Sequence, residues 1–516
     1  MQQEEIKIIK DRERKGAFYT PPIWVELSQK YLADTLGENW QDEYYIWDCA
    51  AGTGNLLAGL TNKFHVWAST LDRQDVDVMR DRIKNGANLL EDHIFQFDFL
   101  NDDFSKLPKG LQDIINDTEK RKKLVIYINP PYAEATTAKT VSGTGQNKAG
   151  VAKDYTAVEV YKGKIGNASN EIFALFMAKI YDKMPHAILA QFSTLKFVQG
   201  SNFAKFRDFF LAKFLGGFVV RADSFDNVTG SFPIGFTIWD FRLPEKIGEI
   251  ACDIVENNGV KIGKKKFFGE LPQSINKWIK LFDNGSSEHI AYMDNSGADF
   301  QNNKFLHIAN LKGTRHVNYF AFTKNNIFKG AIYFAVRQVI TATWLNDRDQ
   351  FLFPNDKWEK DTAFQNNCLA YMLFHGQNRI TARESTNHWI PFTENEVDSR
   401  DNFESNFMAH FIAGKLKDDA SQELFKATET TPKTPLVFSP EAQTVFEAGK
   451  VLWHYYHQLI KNIPLANLQS ETLNASLYDI KAYFQGRNEK GRMNPKSEDK
   501  KYMEIIKNLR ESLKIL

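Results

Sequence analysis

The chain has 516 residues, which is too long for one ordinary hydrophobic core, so two or three domains are expected. Hydrophobic residues make up 43% of the chain and charged residues 25%, a globular composition that excludes a disordered or fibrous protein. The formal net charge of +1 excludes a polycation, so a nucleic-acid partner would need basic residues gathered on one face.

The cysteines and the apolar runs indicate whether the protein is secreted, membrane-bound or cytoplasmic. Cys49, Cys252 and Cys368 are scattered and form no CxxC pair, which argues against a disulfide framework or a metal site. The first residues are charged and lack an apolar core, so no signal peptide is expected. Apolar stretches fall short of the ~18 to 20 residues that cross a bilayer. We therefore expect a cytoplasmic protein with no membrane partner.

The first part of the chain alternates short apolar runs with amphipathic ones. Six runs are predicted as strands: 45–47, 64–68, 124–128, 187–192, 218–220 and 236–241. Helix-like segments, such as 170–184, lie between several of them. This alternation predicts an α/β, Rossmann-like, mostly parallel sheet with helices on both faces.

Two stretches interrupt the pattern. Residues 133–168 carry five glycines and many Thr and Lys residues, so they are predicted to be a long loop that is functional or mobile. Residues 428–440 contain three prolines and are predicted to be a linker.

After Leu243 the strand and helix alternation is lost. Near the end of the chain, Ser439 and Pro440 are typical of a helix start, and 497–516 is predicted as another amphipathic helix. The expected domains are a catalytic domain at 1–245, a mixed α+β domain at 246–430 and a helical segment at 431–516.

A glycine-containing turn follows the first predicted strand. The stretch DCAAGTGNLL places Gly52 and Gly54 where backbone amides can approach a ligand without a Cβ in the way. Asp48 ends the strand, and Asp72 ends the next one. In nucleoside-binding α/β folds, an acidic residue at the position of Asp72 accepts hydrogen bonds from ribose hydroxyls. An ordinary strand-to-helix turn is the alternative. A phosphate-binding loop is disfavoured because its Lys-Ser/Thr pair is missing.

The second motif is Asn129-Pro130-Pro131-Tyr132, directly after the apolar strand at 124–128. Two prolines fix the backbone, so the Asn129 side chain and the Pro130 carbonyl point where the loop dictates. Both groups are acceptors that can hold an amine whose lone pair is delocalised into an aromatic ring, which makes the nitrogen more nucleophilic. Tyr132 can stack on that ring. A rigid turn with an incidental aromatic residue is the alternative.

The order of the motifs along the chain resembles the order in a known family of enzymes. The segment GAFYTP at 16–21 comes first, then the glycine turn, Asp72, the segment FDF at 97–99 and finally NPPY. This series resembles the amino-methyltransferases of DNA, specifically the N6-adenine group with the gamma motif order. In that group the target-recognition region follows the catalytic one. The resemblance covers roughly residues 14 to 245.

The resemblance implies S-adenosylmethionine as cofactor and assigns its site residue by residue. The segment that caps the methionine end is similar to Phe18, Tyr19, Thr20 and Pro21. The glycine-rich loop is similar to Asp48, Ala50, Gly52 and Gly54. Asp72 resembles the acid that binds the ribose hydroxyls. Asp98, with Phe99 beside it, resembles the group that reads the adenine amine of the cofactor; a solvated turn residue is the alternative for Asp98.

The implied reaction is direct methyl transfer to the N6 amine of a flipped-out adenine, with no covalent enzyme intermediate. Asn129 and Pro130 would orient the amine within the catalytic loop, which also contains Pro131 and Tyr132. Phe232 lies in a segment that resembles the family's contributor to the target-base pocket, so Phe232 is either a second stacking partner or a core residue.

Duplex DNA is the implied partner, and a separate cognate restriction endonuclease is a further expectation of the resemblance. Basic side chains in two regions are candidates for the DNA contact. They are Lys139, Lys148, Lys153, Lys162 and Lys164 in the predicted loop, then Lys261, Lys264, Lys265, Lys266, Arg337, Arg348, Arg379 and Arg383. Solvated charged faces are the alternative.

Other activities use the same amine chemistry. Enzymes that methylate glutamine in release factors or bases in ribosomal RNA have NPPY-like loops, but they are usually shorter. N4-cytosine methylation is the nearest alternative, although Ser in place of Asn129 is commoner there. A fused nuclease is disfavoured, because only 15 residues precede Gly16 and no convincing PD-(D/E)xK arrangement follows.

Overall fold

The structure is a computed structural model that describes most of the chain. The described residues are 19–132, 155–225, 228, 230–269, 275–283, 289–295, 305–313, 318–346, 358–416, 432–464, 473–486, 492 and 495–516. The chain divides into two compact units, Met1–Leu271 with Ala342–Gln350 and Pro272–Thr341 with Phe351–Leu516.

The first unit is built on a nine-stranded sheet. Its strands are β1 (Tyr45–Asp48), β2 (Val66–Thr70), β3 (Ile94–Gln96), β4 (Leu124–Ile128), β5 (Ile188–Thr194), β6 (Lys213–Arg221), β7 (Pro233–Asp240), β8 (Glu249–Val255) and β9 (Lys261–Phe268). Their order in the sheet is β3-β2-β1-β4-β5-β7-β6-β8-β9. The first five strands are mutually parallel, whereas β7 and β9 run antiparallel to their neighbours.

The strand order reverses beside β1. Ile46 in β1 pairs with Val66 of β2 on one side and with Val125 of β4 on the other. The chain therefore leaves β1 in one direction to build β2 and β3, and returns to place β4 on the opposite side. In open α/β sheets, ligands bind in the crevice outside the carboxyl ends of the strands at such a reversal.

Helices precede the first strand of this unit and connect several of the later strands. They are α1 (Pro22–Leu36), α2 (Trp40–Glu43), α3 (Arg73–Lys84), α4 (Lys109–Asn116), α5 (Thr118–Arg121), α6 (Thr156–Ile165), α7 (Ile172–Lys183), α8 (Lys196–Gln199) and α9 (Ala204–Phe209).

Both faces of the sheet are covered by helices. Along β4, Leu124, Ile126 and Ile128 belong to one hydrophobic cluster, and Val125 and Tyr127 to another, because successive strand side chains point to opposite faces. Helices α1 and α3 pack into the second cluster, and α4, α6 and α7 into the first. The predicted Rossmann-like α/β fold is confirmed.

The sheet extends beyond the predicted end of the alternation. Strands β8 and β9 follow Leu243, β8 pairs with β6, and β9 pairs with β8. No described helix lies between these strands, so the alternation does end as expected, but the first unit reaches Leu271, past the predicted domain end at residue 245. Strand β9 reads KIGKKKFF and has a largely exposed first half, so its sequence lacks the apolar run of a buried strand.

Part of the predicted loop at 133–168 is helical. Helix α6 occupies Thr156–Ile165 and buries Ala157, Tyr161 and Ile165, which are spaced four residues apart on one face. The loop prediction is wrong for these residues and for 166–168, which lie in a 3₁₀ helix, and 133–154 lie outside the described residues. The helix predicted at 170–184 is confirmed as α7.

The second unit is mixed α+β, as expected. Its sheet has the order β11-β10-β12, with β10 at Ala291–Asp294, β11 at His307–Ala309 and β12 at Tyr319–Phe322. Its helices are α10 (Ile275–Trp278), α11 (Ile327–Val339), α12 (Thr362–Phe374), α13 (Phe407–Ile412), α14 (Pro440–Ile460), α15 (Leu477–Gln485) and α16 (Lys500–Ile515).

The C-terminal helices share the core of that unit. Among the described residues a single hydrophobic cluster runs from Ile275 through Phe322 to Leu509, so one core includes residues on both sides of the predicted boundary at 431. Helix α14 begins as predicted, with the Ser439 hydroxyl accepting a hydrogen bond from the Ala442 amide. Helix α16 confirms the predicted C-terminal helix.

Within the described ranges, each helix is too short or too polar to cross a membrane.

Candidate active site

A cavity of about 350 Å³ opens at the carboxyl ends of β1 to β4, where the strand order reverses. That volume lies within the range of pockets that enclose small organic ligands. The lining residues are Tyr19, Thr20, Asp48, Cys49, Ala50, Ala51, Gly52, Thr53, Asn55, Leu56, Thr70, Leu71, Asp72, Asp75, Phe97, Asp98, Phe99, Leu100, Asn129, Pro131, Tyr155, Ile172 and Phe176.

The turn after β1 forms the floor of the cavity. Gly52 and Gly54 have φ angles of 51° and 80°. This is a left-handed backbone conformation, which is sterically strained for residues other than glycine. A Cβ at Gly54 would lie 3.2 Å from Met79, whereas a Cβ at Gly52 would meet nothing within 4 Å. Gly54 therefore permits close packing, and Gly52 leaves the backbone open to a ligand.

Asp48 is a buried acid at the start of this turn. Its residue is 1% exposed, and its Oδ1 accepts a hydrogen bond of 3.0 Å from the Ala50 amide. Burial raises the pKa of Asp48 to about 8, although the Ala50 hydrogen bond partly opposes the shift. The carboxyl group is therefore costly to ionise until a positive partner binds.

Two further acids follow β2. Asp72 occupies the N-cap position of α3, and Asp75 lies in the first turn of that helix. Asp75 is buried and accepts a hydrogen bond of 3.5 Å from the Thr70 hydroxyl. The sequence predicted Asp72 but missed Asp75, which reaches the cavity because it lies one helical turn further on the same face.

Asp98 both shapes its own turn and lines the cavity. Its Oδ1 accepts hydrogen bonds of 3.1 Å from the amides of Leu100 and Asn101, and its Oδ2 accepts one of 2.9 Å from the Asn101 side chain. Beside it, the Phe99 ring stacks on the Phe176 ring at a centroid distance of 4.9 Å. The two interpretations of Asp98 from the sequence are thus compatible: the turn residue is also a lining residue.

The charged side chains of the cavity indicate which class of ligand it can hold. Four carboxyl groups line it, those of Asp48, Asp72, Asp75 and Asp98, and the described lining contains no Lys, Arg or His. A ligand with a pyrophosphate would therefore meet no basic side chain among these lining residues. A ligand with a positive charge, ribose hydroxyls and an aromatic base is complementary to the carboxyl groups and the aromatic rings. The residues present therefore fit S-adenosylmethionine.

The NPPY loop reaches the same cavity from β4. Asn129 follows the last residue of β4, and Asn129 and Pro131 line the cavity. The Asn129 Nδ2 donates a hydrogen bond of 2.8 Å to the Thr20 hydroxyl, and its Oδ1 accepts one of 2.5 Å from the Tyr132 hydroxyl. Tyr132 is only 9% exposed, so its ring lies within the protein.

Ten residues predicted from the sequence meet in this cavity. They are Tyr19, Thr20, Asp48, Ala50, Gly52, Asp72, Asp98, Phe99, Asn129 and Pro131. Five other predicted residues are described but are not among its lining residues: Pro21, Gly54, Pro130, Tyr132 and Phe232. Phe18 lies outside the described residues.

Pro21 and Phe232 have other contacts in the structure. The Pro21 carbonyl accepts hydrogen bonds from the amides of Trp24 and Val25, so this residue starts helix α1. Phe232 packs against the hydrophobic cluster that also contains Tyr132, which is consistent with both of its predicted roles.

Several lining residues were not predicted because they lie in helices or directly before one. Tyr155 precedes α6, and Ile172 and Phe176 belong to α7. Their sequence neighbourhood is a glycine-rich segment followed by a continuous apolar run, neither of which signals a ligand site.

Nine of the basic residues proposed for DNA contact are described, and at least four of them lie in ion pairs. Lys261 and Lys264 contact Asp253, Lys266 contacts Glu249, and Lys164 contacts Asp182.

The interpretation of Arg337 as a phosphate contact is wrong. This residue is 0% exposed and donates hydrogen bonds to the Tyr333 hydroxyl and to Asn276. Lys139, Lys148, Lys153 and Arg348 lie outside the described residues.

Comparison with known proteins gives matches among solved structures. No family model and no curated protein match the chain. The DNA complex of DrdV is 16% identical over 48% of this chain and 28% of that chain, with a TM-score of 0.35.

Two further matches have names that describe methyl transfer or modification. A putative class I S-adenosylmethionine-dependent methyltransferase from Listeria monocytogenes is 14% identical over 46% of this chain and 65% of that chain, with a TM-score of 0.28. A modification subunit of a putative type I restriction enzyme from Vibrio vulnificus is 12% identical over 55% and 65%, with a TM-score of 0.32. This chain spans less than two thirds of each matched chain.

Proposed function

We propose that this protein is an S-adenosylmethionine-dependent methyltransferase that methylates the N6 amine of adenine in double-stranded DNA. The observation that carries the proposal is the meeting of two motifs in one cavity. The acidic, glycine-containing turn after β1 and the Asn129–Pro131 segment after β4 line the same crevice, although they are far apart in the sequence.

The acidic part of the cavity would hold the cofactor. In this proposal Asp72 and Asp75 accept hydrogen bonds from ribose hydroxyls, and Asp98 accepts one from the adenine amine. Phe99 offers an aromatic face beside Asp98. When bound, S-adenosylmethionine supplies a methyl group that is already activated by a positively charged sulfur.

The NPPY loop would orient the target amine. The Asn129 Oδ1 and the Pro130 carbonyl accept hydrogen bonds from the two N–H groups of the amine, which draws its lone pair away from the aromatic ring. The rate then comes from positioning and from dipoles fixed before the reaction. Because the amine is itself the nucleophile, the enzyme needs no covalent intermediate.

An adenine inside a duplex cannot reach a cavity of this depth, so the base must rotate out of the stack at a cost of a few kcal/mol. The ring of Tyr132 is the proposed stacking partner, and such stacking contributes ~1 to 3 kcal/mol per base. Phe232, in the same hydrophobic cluster, is proposed as the second aromatic of this base pocket. The second compact unit is proposed to recognise the target sequence.

The test is a transfer assay with methyl-labelled S-adenosylmethionine and long bacterial duplex DNA, followed by digestion to nucleosides. We expect label in N6-methyl-2′-deoxyadenosine and a loss of about a hundredfold or more with Asn129→Ala, since one polar group that acts on the reacting atoms contributes about that factor. Cofactor binding by Asn129→Ala should change little. Asn85→Ala, an exposed asparagine outside the cavity, is the matched control.

Other outcomes change the proposal in defined ways. Label in N4-methylcytosine would replace the target base and retain the amine chemistry. Label confined to RNA or protein extracts would overturn DNA as the substrate. Absence of cofactor binding would overturn the assignment of the cavity itself.

A further inference from the structure

The carboxamide of Asn129 is contacted at both of its polar atoms by hydroxyl groups. Its Nδ2 donates to Thr20 Oγ1 over 2.8 Å, and its Oδ1 accepts from the Tyr132 hydroxyl over 2.5 Å. Thr20 comes from a segment 109 residues earlier in the chain, whereas Tyr132 belongs to the NPPY loop itself. The two contacts therefore hold the amide from opposite sides.

Thr20 is a rigid partner. Its residue is 5% exposed, and the next residue, Pro21, begins helix α1 by accepting hydrogen bonds from Trp24 and Val25. Trp24 is fully buried and its indole N–H donates to the Ser224 hydroxyl over 3.0 Å. The start of α1 is thus fixed in the core, and the Thr20 hydroxyl is fixed with it.

The orientation of a carboxamide matters for an amine substrate. Rotation of the Asn129 amide by half a turn exchanges its NH₂ donor for its carbonyl acceptor. Only the carbonyl can accept the N–H of a target amine, whereas the NH₂ group would face it donor to donor. A phenol is a better donor than acceptor, so the Tyr132 contact marks the carbonyl side and the Thr20 contact marks the NH₂ side.

We propose that Thr20 is a positioning residue for catalysis: its hydroxyl holds the NH₂ group of Asn129 so that Oδ1 faces the target amine. The proposal rests on the proposed function, because it names which atom the amine meets. It also gives the Tyr132 hydroxyl a defined place in the free enzyme. That hydroxyl donates to one of the two lone pairs of Oδ1, and the target amine meets the other.

The main test compares Thr20→Val with Thr20→Ser. Valine has nearly the shape of threonine and lacks the hydroxyl, while serine keeps the hydroxyl. With saturating cofactor and duplex, we expect the single-turnover rate of methyl transfer to fall about tenfold to a hundredfold in Thr20→Val, as for a misplaced reacting group. Thr20→Ser should recover most of the rate. The dissociation constant for S-adenosylmethionine, measured by calorimetry, should change by less than about threefold in both variants.

The opposite pattern would overturn the proposal. If Thr20→Val weakens cofactor binding and the single-turnover rate at saturation is unchanged, the hydroxyl serves the cofactor and not Asn129. If Thr20→Ser is as slow as Thr20→Val, the loss comes from packing and not from the hydroxyl.

A second measurement separates this proposal from the proposed function. In protein labelled with ¹⁵N-asparagine, the side-chain NH₂ signal of Asn129, assigned by its loss in Asn129→Asp, should shift in Thr20→Val and stay in place in Thr20→Ser. An unmoved signal in Thr20→Val would refute the contact, whatever the substrate. A shifted signal in a protein that methylates no DNA would retain the contact and overturn the proposed function alone.

Discussion

The two ends of the cavity use different chemistry. At the ends of β1, β2 and β3 the wall carries four carboxyl groups, among them the fully buried Asp48. At the end of β4 the wall is neutral and consists of the Asn129 amide, Pro131 and the Thr20 hydroxyl, and the Tyr132 hydroxyl contacts the amide from outside the lining. The first end attracts positive charge, while the second end orients a neutral group by hydrogen bonds.

This difference matches the two substrates of a methyl transfer. A charged cofactor gains affinity from carboxylates, and a neutral amine gains reactivity from acceptors whose directions are fixed. Changes at the acidic end should therefore alter cofactor affinity, and changes at the amide end should alter the transfer step or target binding. Each prediction below tests that division, in order of decreasing effect.

Asp48→Asn should weaken the binding of S-adenosylmethionine about tenfold to a hundredfold at pH 8.5, because a hydrogen bond to a charged group contributes about 1.5 to 3 kcal/mol. The asparagine keeps the shape and can still accept from the Ala50 amide. Calorimetric titration measures the dissociation constant, with the exposed Asp92→Asn as matched control. Equal affinity in the two variants would contradict the assignment of a cation to this end.

The pH dependence of cofactor binding should report the same group. In the free protein, burial raises the pKa of Asp48 to about 8, so the carboxyl is mostly protonated below that pH. A bound cation favours the ionised form, so binding releases a proton and affinity rises with pH. We expect a rise of up to about tenfold per unit between about pH 6 and pH 8.

The control for this dependence is again Asp48→Asn, which has no carboxyl to titrate. Its affinity for the cofactor should vary less over the same pH range than that of the unchanged protein. Parallel pH profiles for the two proteins would assign the titration to another group.

Tyr132→Phe should bind target duplex about fivefold more tightly, because removal of the hydroxyl leaves both lone pairs of Asn129 Oδ1 to the target amine, a gain of about 1 kcal/mol. Fluorescence anisotropy measures the affinity. In the Asn129→Ala background the same substitution should have no such effect. An equal gain in both backgrounds would mean that the hydroxyl acts on DNA directly.

Much of the fold could be predicted because buried parallel strands are continuous apolar runs. Strand β4, with the sequence LVIYI, is fully buried and was predicted at its observed bounds. Strand β9 was missed because an edge strand tolerates charge, and its lysines pair with acids of β8. Helix α6 was missed because glycine and lysine residues obscure its narrow buried face.

The candidate site could be predicted only where its residues are contiguous in the sequence and form a motif. The β1 turn and the NPPY loop are contiguous, so their sequences indicate a ligand. Asp75 and Phe176 reach the cavity through helix packing, which a local pattern does not contain. The contact between Thr20 and Asn129 joins residues whose proximity depends on the whole sheet.

The placement of β4 beside β1 has a consequence for folding. The walls of the cavity extend along the chain from Tyr19 to Phe176, so they meet only after long loops have closed. A nascent chain that has not yet made α7 has no complete cavity. A ligand that binds the finished cavity stabilises all of these segments together, so cofactor should slow proteolysis across the first unit and not only beside the pocket.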